Sequence, residues 1–176
     1  MEQDTTIVEA MPFVGGRKFL VASKGGNGFV VSEDECVATT RKGKTVLNLK
    51  GDEARAMTIV EGELAASVGE NRKMLIFPLA DVPEMARGRG VRLQRYKEKG
   101  LSDIKTFKAE DGLSWYDTAG RTFATPLKDL RDWRGKRADA GRIVPKGFPK
   151  NNKFGKLPQT NGKTKEKASD DEKADE

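Results

Sequence analysis

Histidine is absent from the 176 residues, and cysteine occurs once, at Cys36. Together these shortages exclude imidazole and thiolate zinc centres, Cys-His nucleophiles and the Ser-His-Asp triad. A single cysteine closes no disulfide within a chain, so the expected surroundings are reducing. Aromatics are scarce at 7%, and hydrophobic residues at 36% barely outnumber charged ones at 34%, so the core must be lean and the surface ionic. No apolar run approaches the ~18 residues of a membrane span. The opening "MEQDTTIVEAMPFV" lacks the charged-then-apolar pattern of a signal peptide. These absences predict a cytoplasmic chain with no membrane partner, built as one body and a tail.

What is present is positive charge and short strands. The formal charge is +6, while the segment from Asn151 onward balances six Lys against six Asp or Glu, so the excess sits on the first 150 residues. That points toward a polyanionic partner, although charge says nothing about fold. β-Forming runs at residues 19–22 and 29–31 flank a Gly-rich turn at 24–28 and predict a hairpin. Residues 46–49 predict a further strand after a basic turn. Residues 56–60, 64–68 and 74–79 predict a three-stranded meander, with Pro78 and Pro83 ending the third strand or placing it at an edge. Residues 81–86 hold room for one helical turn. Strands at 104–107, 113–116 and 122–125 repeat the plan more weakly, and 127–133 reads as helical.

Aligned by their turns, these units repeat every forty-odd residues, the length of a four-stranded propeller-type blade. "RKGKTVLNL" from Arg41 lies over "RGRGVRLQR" from Arg87, with Leu47 over Leu93. The expected organisation is a lead-in or partial strand over 1–14, blades over 15–150 and a disordered charged tail over 151–176. The tail is too polar to offset the entropy of ordering. Phe148 and Phe154 are candidates for local docking there.

Several motifs dissolve on inspection. Gly43-Lys44-Thr45 ends like a phosphate-binding loop, but Ala38 stands where the leading glycine is required and a strand follows instead of a helix. Gly25, Gly26 and Gly28 read as hairpin glycines. Glu33, Asp34 and Glu35 fit no cation-binding spacing and read as a solvated connector. Tyr96, between Arg95 and Lys97, reads as an aromatic supporting a basic surface. No paired catalytic carboxylates stand out. The basic turns remain: Arg41, Lys42 and Lys44; then Arg87, Arg89, Arg92, Arg95, Lys97 and Lys99; then Arg131, Arg134, Lys136, Arg137 and Arg142, diluted by Asp129, Asp132 and Asp139. Glycines between the arginines let backbone approach phosphate, and guanidinium groups pair with it bidentately.

The stretch "VGENRKMLIFPLADVPEMARGRGVRLQRYKEKGLSDIKTF" resembles the C-terminal domain of the A subunit of bacterial DNA topoisomerase IV, a relative of the gyrase A C-terminal domain. The similarity runs from Gly15 to about Phe154. It implies an all-β, propeller-like β-pinwheel with strands exchanged between blades, binding duplex DNA along a basic outer edge. Arg72 and Lys73 join the three basic turns as expected DNA contacts on this reading. About three four-stranded blades are fewer than a closed pinwheel of this family contains, and an open arc leaves strand edges unpaired. The family's breakage-reunion region is not in this chain, and neither Tyr96 nor Tyr116 lies in its catalytic motif. No cofactor is therefore expected here, the ATP and magnesium of the intact enzyme acting elsewhere. The resemblance implies a bacterial, nucleoid-associated protein partnered by the topoisomerase IV catalytic core and the ATPase B subunit. Arg87-Gly88-Arg89-Gly90 matches the gyrase Gln-Arg-Arg-Gly-Gly-Lys-Gly box only loosely, which favours bending over chiral wrapping. A small basic β-domain binding an acidic protein is the alternative; an RNA-binding barrel ranks last, since few aromatics interleave the basic turns.

Overall fold

The computed structural model describes residues 6–155, and its β-rich chain is built from hairpins whose outer edges are completed by strands from elsewhere. β1 (Lys18–Ser23) and β2 (Asn27–Ser32) form the expected first hairpin, with Phe19 opposite Val31 and Val21 opposite Phe29. β3 (Ala54–Ile59) pairs with the other edge of β1. β4 (Leu64–Gly69) and β5 (Lys73–Pro78) form the second hairpin. β6 is only Val91–Arg92, and it pairs back onto β2. β7 (Leu101–Phe107) then joins β4. β8 (Leu113–Tyr116) and β9 (Thr122–Thr125) make the third hairpin, and β10 (Arg142–Ile143) pairs back onto β5.

The first two sheets, ordered β3-β1-β2-β6 and β7-β4-β5-β10, are the same blade twice, while the third unit is a two-stranded sheet among the described residues. Each full blade takes its fourth strand from the unit that follows. This is an unclosed, pinwheel-like arrangement.

Two expectations about connectivity change. The strands at 56–60, 64–68 and 74–79 exist but form no meander. β3 belongs to the first blade, and the edge of β4 that a meander would give it is held by β7. The cause is the turn at Gly62, whose φ of +89° packs it against the Phe107 backbone and redirects the chain between blades. Residues 46–49 form no regular strand; they make a single parallel bridge, Leu47 to Gly88. The helical expectation at 127–133 is met by a 3-10 segment, Leu127–Trp133; that at 81–86 is not, because the 3-10 turn is Leu79–Asp81 and the chain beyond it is extended, with Glu84 in a parallel bridge to Val30.

Alternation along the hairpins gives each blade two apolar faces, because successive side chains point to opposite sides. Leu20, Ala22 and Val30 of the first blade pack with Ala65, Leu75 and Phe77 of the second. Ala66, Val68, Met74 and Ile76 pack with Leu113, Trp115, Leu130 and Val144 on the far side. Phe148 and Phe154 close that second cluster, edge to face at 5.5 Å. The packed body therefore extends past Asn151. Phe154 is buried, its amide donates to the Asp103 carboxylate and its carbonyl accepts from the Tyr116 amide. The rest of the expected tail, 156–176, lies outside the described residues, as do 1–5.

The first blade's outward face, Phe19, Val21, Phe29 and Val31, meets no other blade among the described residues and is covered by Met11, Cys36, Val46, Leu47 and Met85. Glu33 fastens that cover. Expected in a solvated connector, it is 3% exposed, accepts the Val14 and Gly15 amides, and is paired with Arg17 at 2.6 Å. Hydrogen bonding to Arg17 is the main cause that holds its carboxyl at about 2, against an ordinary 4.5. A depressed carboxylate contributes its stability fully above its unfolded value and loses it as pH falls through the folded one. Amide protection of Val14 and Gly15 is accordingly expected to persist to about pH 3 and fail near pH 2. In Glu33→Gln it is expected to be weak at every pH, as read by hydrogen exchange.

Candidate nucleic-acid interface

The second and third basic turns are carried by the exchanged segments and the first by the corresponding residues 41–48, and backbone hydrogen bonds set these segments beside one another. Between the first and second, the Gly88 amide donates to the Val46 carbonyl at 2.9 Å and the Asn48 amide to the Gly88 carbonyl at 2.7 Å. Between the second and third, the Ala138 amide donates to the Leu93 carbonyl at 2.9 Å and the Arg95 amide to the Asp139 carbonyl at 3.0 Å. Bonded backbones of this kind run about 4.8 Å apart. Three clusters separated by some forty residues in sequence thus become adjacent tracks of one belt. The same bonds correct the repeat register by one residue: Val46, not Leu47, stands where Leu93 does.

Within this belt Arg41, Lys42, Lys44, Arg87, Arg89, Arg92, Arg95, Lys97 and Lys99 are all exposed. Lys44 reaches Glu35 at 3.4 Å. Arg87, Arg89, Arg92 and Arg95 form no ion pair among the described residues, although Arg89 lies within electrostatic reach of Asp52. Cations held close without counter-charges raise the local potential and favour an incoming anion. In the third track Arg131, Arg134, Lys136 and Arg142 are exposed, while Arg137 turns inward and donates to the Arg92 carbonyl at 2.7 Å. Asp139 spends its carboxylate on the Lys136 amide, and so caps a turn within the basic segment.

Arg72 and Lys73 stand apart from the belt, in the β4–β5 hairpin, and both are half-buried. The Arg72 guanidinium donates to the carbonyls of Phe148 and Pro149 and to Asn152 Oδ1 at 2.9–3.3 Å, which makes it a fastener of the C-terminal loop. The Lys73 carbonyl is held by Gln94.

Gln94 is the belt residue that sequence reasoning passed over. Fully buried, it receives the Ser67 and Tyr96 hydroxyls on Oε1 at 2.8 and 2.9 Å. Its Nε2 donates to the carbonyls of Lys73 at 3.1 Å and Ala140 at 2.9 Å. One side chain thereby ties the second track to β4, β5 and the third track. Its signal was an amide within "RLQR", in a repeat that otherwise offers cations and aliphatics. Tyr96 supports the belt from beneath, and burial pushes its phenol well above the ordinary range, so it stays protonated. Among the described residues no group of three or more His, Cys, Asp or Glu is placed to hold a metal ion, and no helix is long and apolar enough to cross a membrane.

The family described as the DNA gyrase C-terminal domain, beta-propeller, matches residues 17–60 and 67–101. The A subunit of DNA topoisomerase 4 from Caulobacter vibrioides is 45% identical over 154 residues, covering 88% of this chain and 20% of that protein. Its counterpart from Rickettsia bellii is 41% identical over 149 residues, covering 84% and 20%. The chain thus spans about a fifth of the length of these curated relatives. Among solved structures, the Escherichia coli ParC C-terminal domain superposes with a TM-score of 0.65 at 22% identity, covering 78% of this chain and 59% of that one. A C-terminal domain of DNA topoisomerase IV gives 0.65 at 19% identity, covering 85% and 49%. At these identities the structural likeness speaks for the fold.

Proposed function

The chain belongs to the family of C-terminal domains found in the A subunit of topoisomerase IV and of gyrase, and we propose that within it the belt of basic segments binds and bends duplex DNA. The observation that carries the reading is the lateral bonding of the three tracks, which gathers Arg41, Lys42 and Lys44 beside Arg87, Arg89, Arg92 and Arg95. Each exposed cation neutralises a phosphate and releases its counterion. A duplex bent along the row of blades pays a cost of about 1–6 kcal/mol over a 20–30 bp site, which several such contacts offset. The tracks offer guanidinium and ammonium groups on short turns, with no helix or ribbon shaped to enter a groove, so base readout is minor. In a type IIA topoisomerase this activity holds DNA for a catalytic core that lies outside this chain. The proposed protein partners are that core and the ATPase B subunit, and the proposed location is the bacterial nucleoid.

The test is a titration with a ~30 bp duplex across salt concentrations. Affinity is expected to fall steeply and linearly in log–log form, with little dependence on sequence. Tighter binding of an acidic protein than of duplex at equal salt would transfer the belt to a protein partner. Strand cleavage is a separate matter. Supercoiled plasmid incubated with this chain, ATP and magnesium is expected to remain uncut, since the chain is proposed to carry no cofactor and no catalytic residue; nicked or linear product would reveal a missed site.

A further inference from the structure

The two blade junctions are built alike. In the first, Gly90, at φ +77°, passes so close to the Gly28 carbonyl that any side chain would collide with it. β6 then pairs with β2, and the Leu93 amide donates to the Gly26 carbonyl at 2.7 Å. In the second, Gly141, also at φ +77°, passes the Met74 carbonyl, β10 pairs with β5, and the Val144 amide donates to the Arg72 carbonyl at 2.9 Å. Gly26 and Arg72 hold the same place in their hairpins: each has a positive φ, and each amide bonds the carbonyl three residues back.

Both halves of a third junction exist, unjoined among the described residues. Gly43, at φ +81°, precedes Lys44, Thr45 and Val46 as Gly90 precedes Val91, Arg92 and Leu93, yet nothing lies within 4 Å of where its side chain would be. Val46 accepts the Gly88 amide as Leu93 accepts that of Ala138. At the other end of the row Gly120, at φ +80°, bonds the Asp117 carbonyl as Gly26 bonds that of Ser23, and it too faces open space. Along β9, Thr122 and Ala124 are exposed at the places where Gly28 pairs with β6 and Val30 bonds Pro83. The Asp117 amide donating to the Arg121 carbonyl sets the alternation, so the 122 and 124 amides point away from β8.

We propose that these halves join between two copies of the chain, residues 43–46 of one copy pairing antiparallel with β9 of the next. A second copy is the fitting occupant because one chain carries both the donor strand, with its leading positive-φ glycine, and the matching acceptor edge. Exposed Phe13 and Val37 at the donor end add apolar area. The contact is head-to-tail, so it is heterologous and propagates unless the rotation closes. Main-chain pairing supplies the affinity, as in other strand additions.

Sedimentation of the full chain from about 10 µM to about 1 mM is expected to show mass rising above the 19.4 kDa monomer. Ala124→Pro removes an outward amide and spares the β8–β9 bonds; Gly43→Val strains an exposed turn remote from the core. Each is expected to return the monomer. A synthetic peptide of residues 41–48 is expected to shift the Thr122 amide resonance of the native chain and to leave that of Ala124→Pro unmoved. A monomer at every concentration, a peptide without effect on Thr122, or association that survives both substitutions overturns the proposal. So does slow exchange of the Thr122 and Ala124 amides in a monomer, which shows the edge taken within one chain.

Discussion

Replacing Arg87, Arg89, Arg92 and Arg95 together by Ala is expected to lower duplex affinity by about 10²–10³ at ~0.1 M salt and to reduce the log–log salt slope by about 3–4. The slope change follows from about 0.9 released counterions per lost phosphate contact. All four side chains are exposed, so the loss of charge should leave folding intact, and thermal melting should differ little from the native chain. The pairing of readouts decides between causes. A lower affinity with an unchanged slope means the arginines shape the belt without touching phosphate, and unchanged binding removes them from the interface. Arg72→Ala is the informative contrast. Its guanidinium holds three acceptors in the loop at 148–152, so its loss is expected to cost roughly 1–3 kcal/mol of stability, with the salt slope hardly moved.

Gln94→Leu is expected to be the most destabilising single change in the belt. It strands the Ser67 and Tyr96 hydroxyls and the Lys73 and Ala140 carbonyls, in a site whose central side chain has no exposure. Each buried group left without a partner costs about 1–3 kcal/mol, and relaxation recovers part of the sum, so about 3–5 kcal/mol is expected. For a body of this size that corresponds to a melting midpoint lower by about 10–15 °C. The damage should be directional. Gln94 pins the third track through Ala140, so amides of Arg142 and Ile143 in β10 are expected to exchange early, while those of the β1–β2 hairpin hold. Uniform loss of protection across all three hairpins would contradict a pinning role. Gln94→Glu should fare no better, since it keeps the acceptor, loses both Nε2 bonds and buries a charge.

The hairpins were legible because alternation writes them locally: residues 19–22 and 29–31, or 64–68 and 74–79, declare a strand and its turn without reference to anything distant. β6 and β10 were not. A two-residue strand has no period to read, and Val91-Arg92 lies inside an arginine run that looks like surface; its extended form is imposed by the open edge of β2. The meander failed for a related reason. The pattern of residues 54–59 specifies a strand but not a partner, and Gly62 turns it away from its sequence neighbour. In the site, charge located the belt, yet charge cannot separate an arginine that faces solvent, such as Arg89, from one that ties down a loop, such as Arg72. Glu33 shows the same limit among acids: the buried clamp and the solvated connector read alike until Arg17 is found beside it.

The backward pairing of β6 has a consequence for how the chain is made. Asn27 meets Arg92 across 65 residues, and Lys73 meets Ile143 across 70. During synthesis the first blade cannot finish until the hairpin of the second has been made, and the second waits in turn for the hairpin of the third. Non-local pairing of this kind raises contact order and slows folding. It also leaves the β2 and β5 edges open for as long as the ribosome takes to supply their partners. A truncation placed between β5 and β10 would therefore remove more than the distal blades, because it would leave the blade before the cut with an unfinished edge.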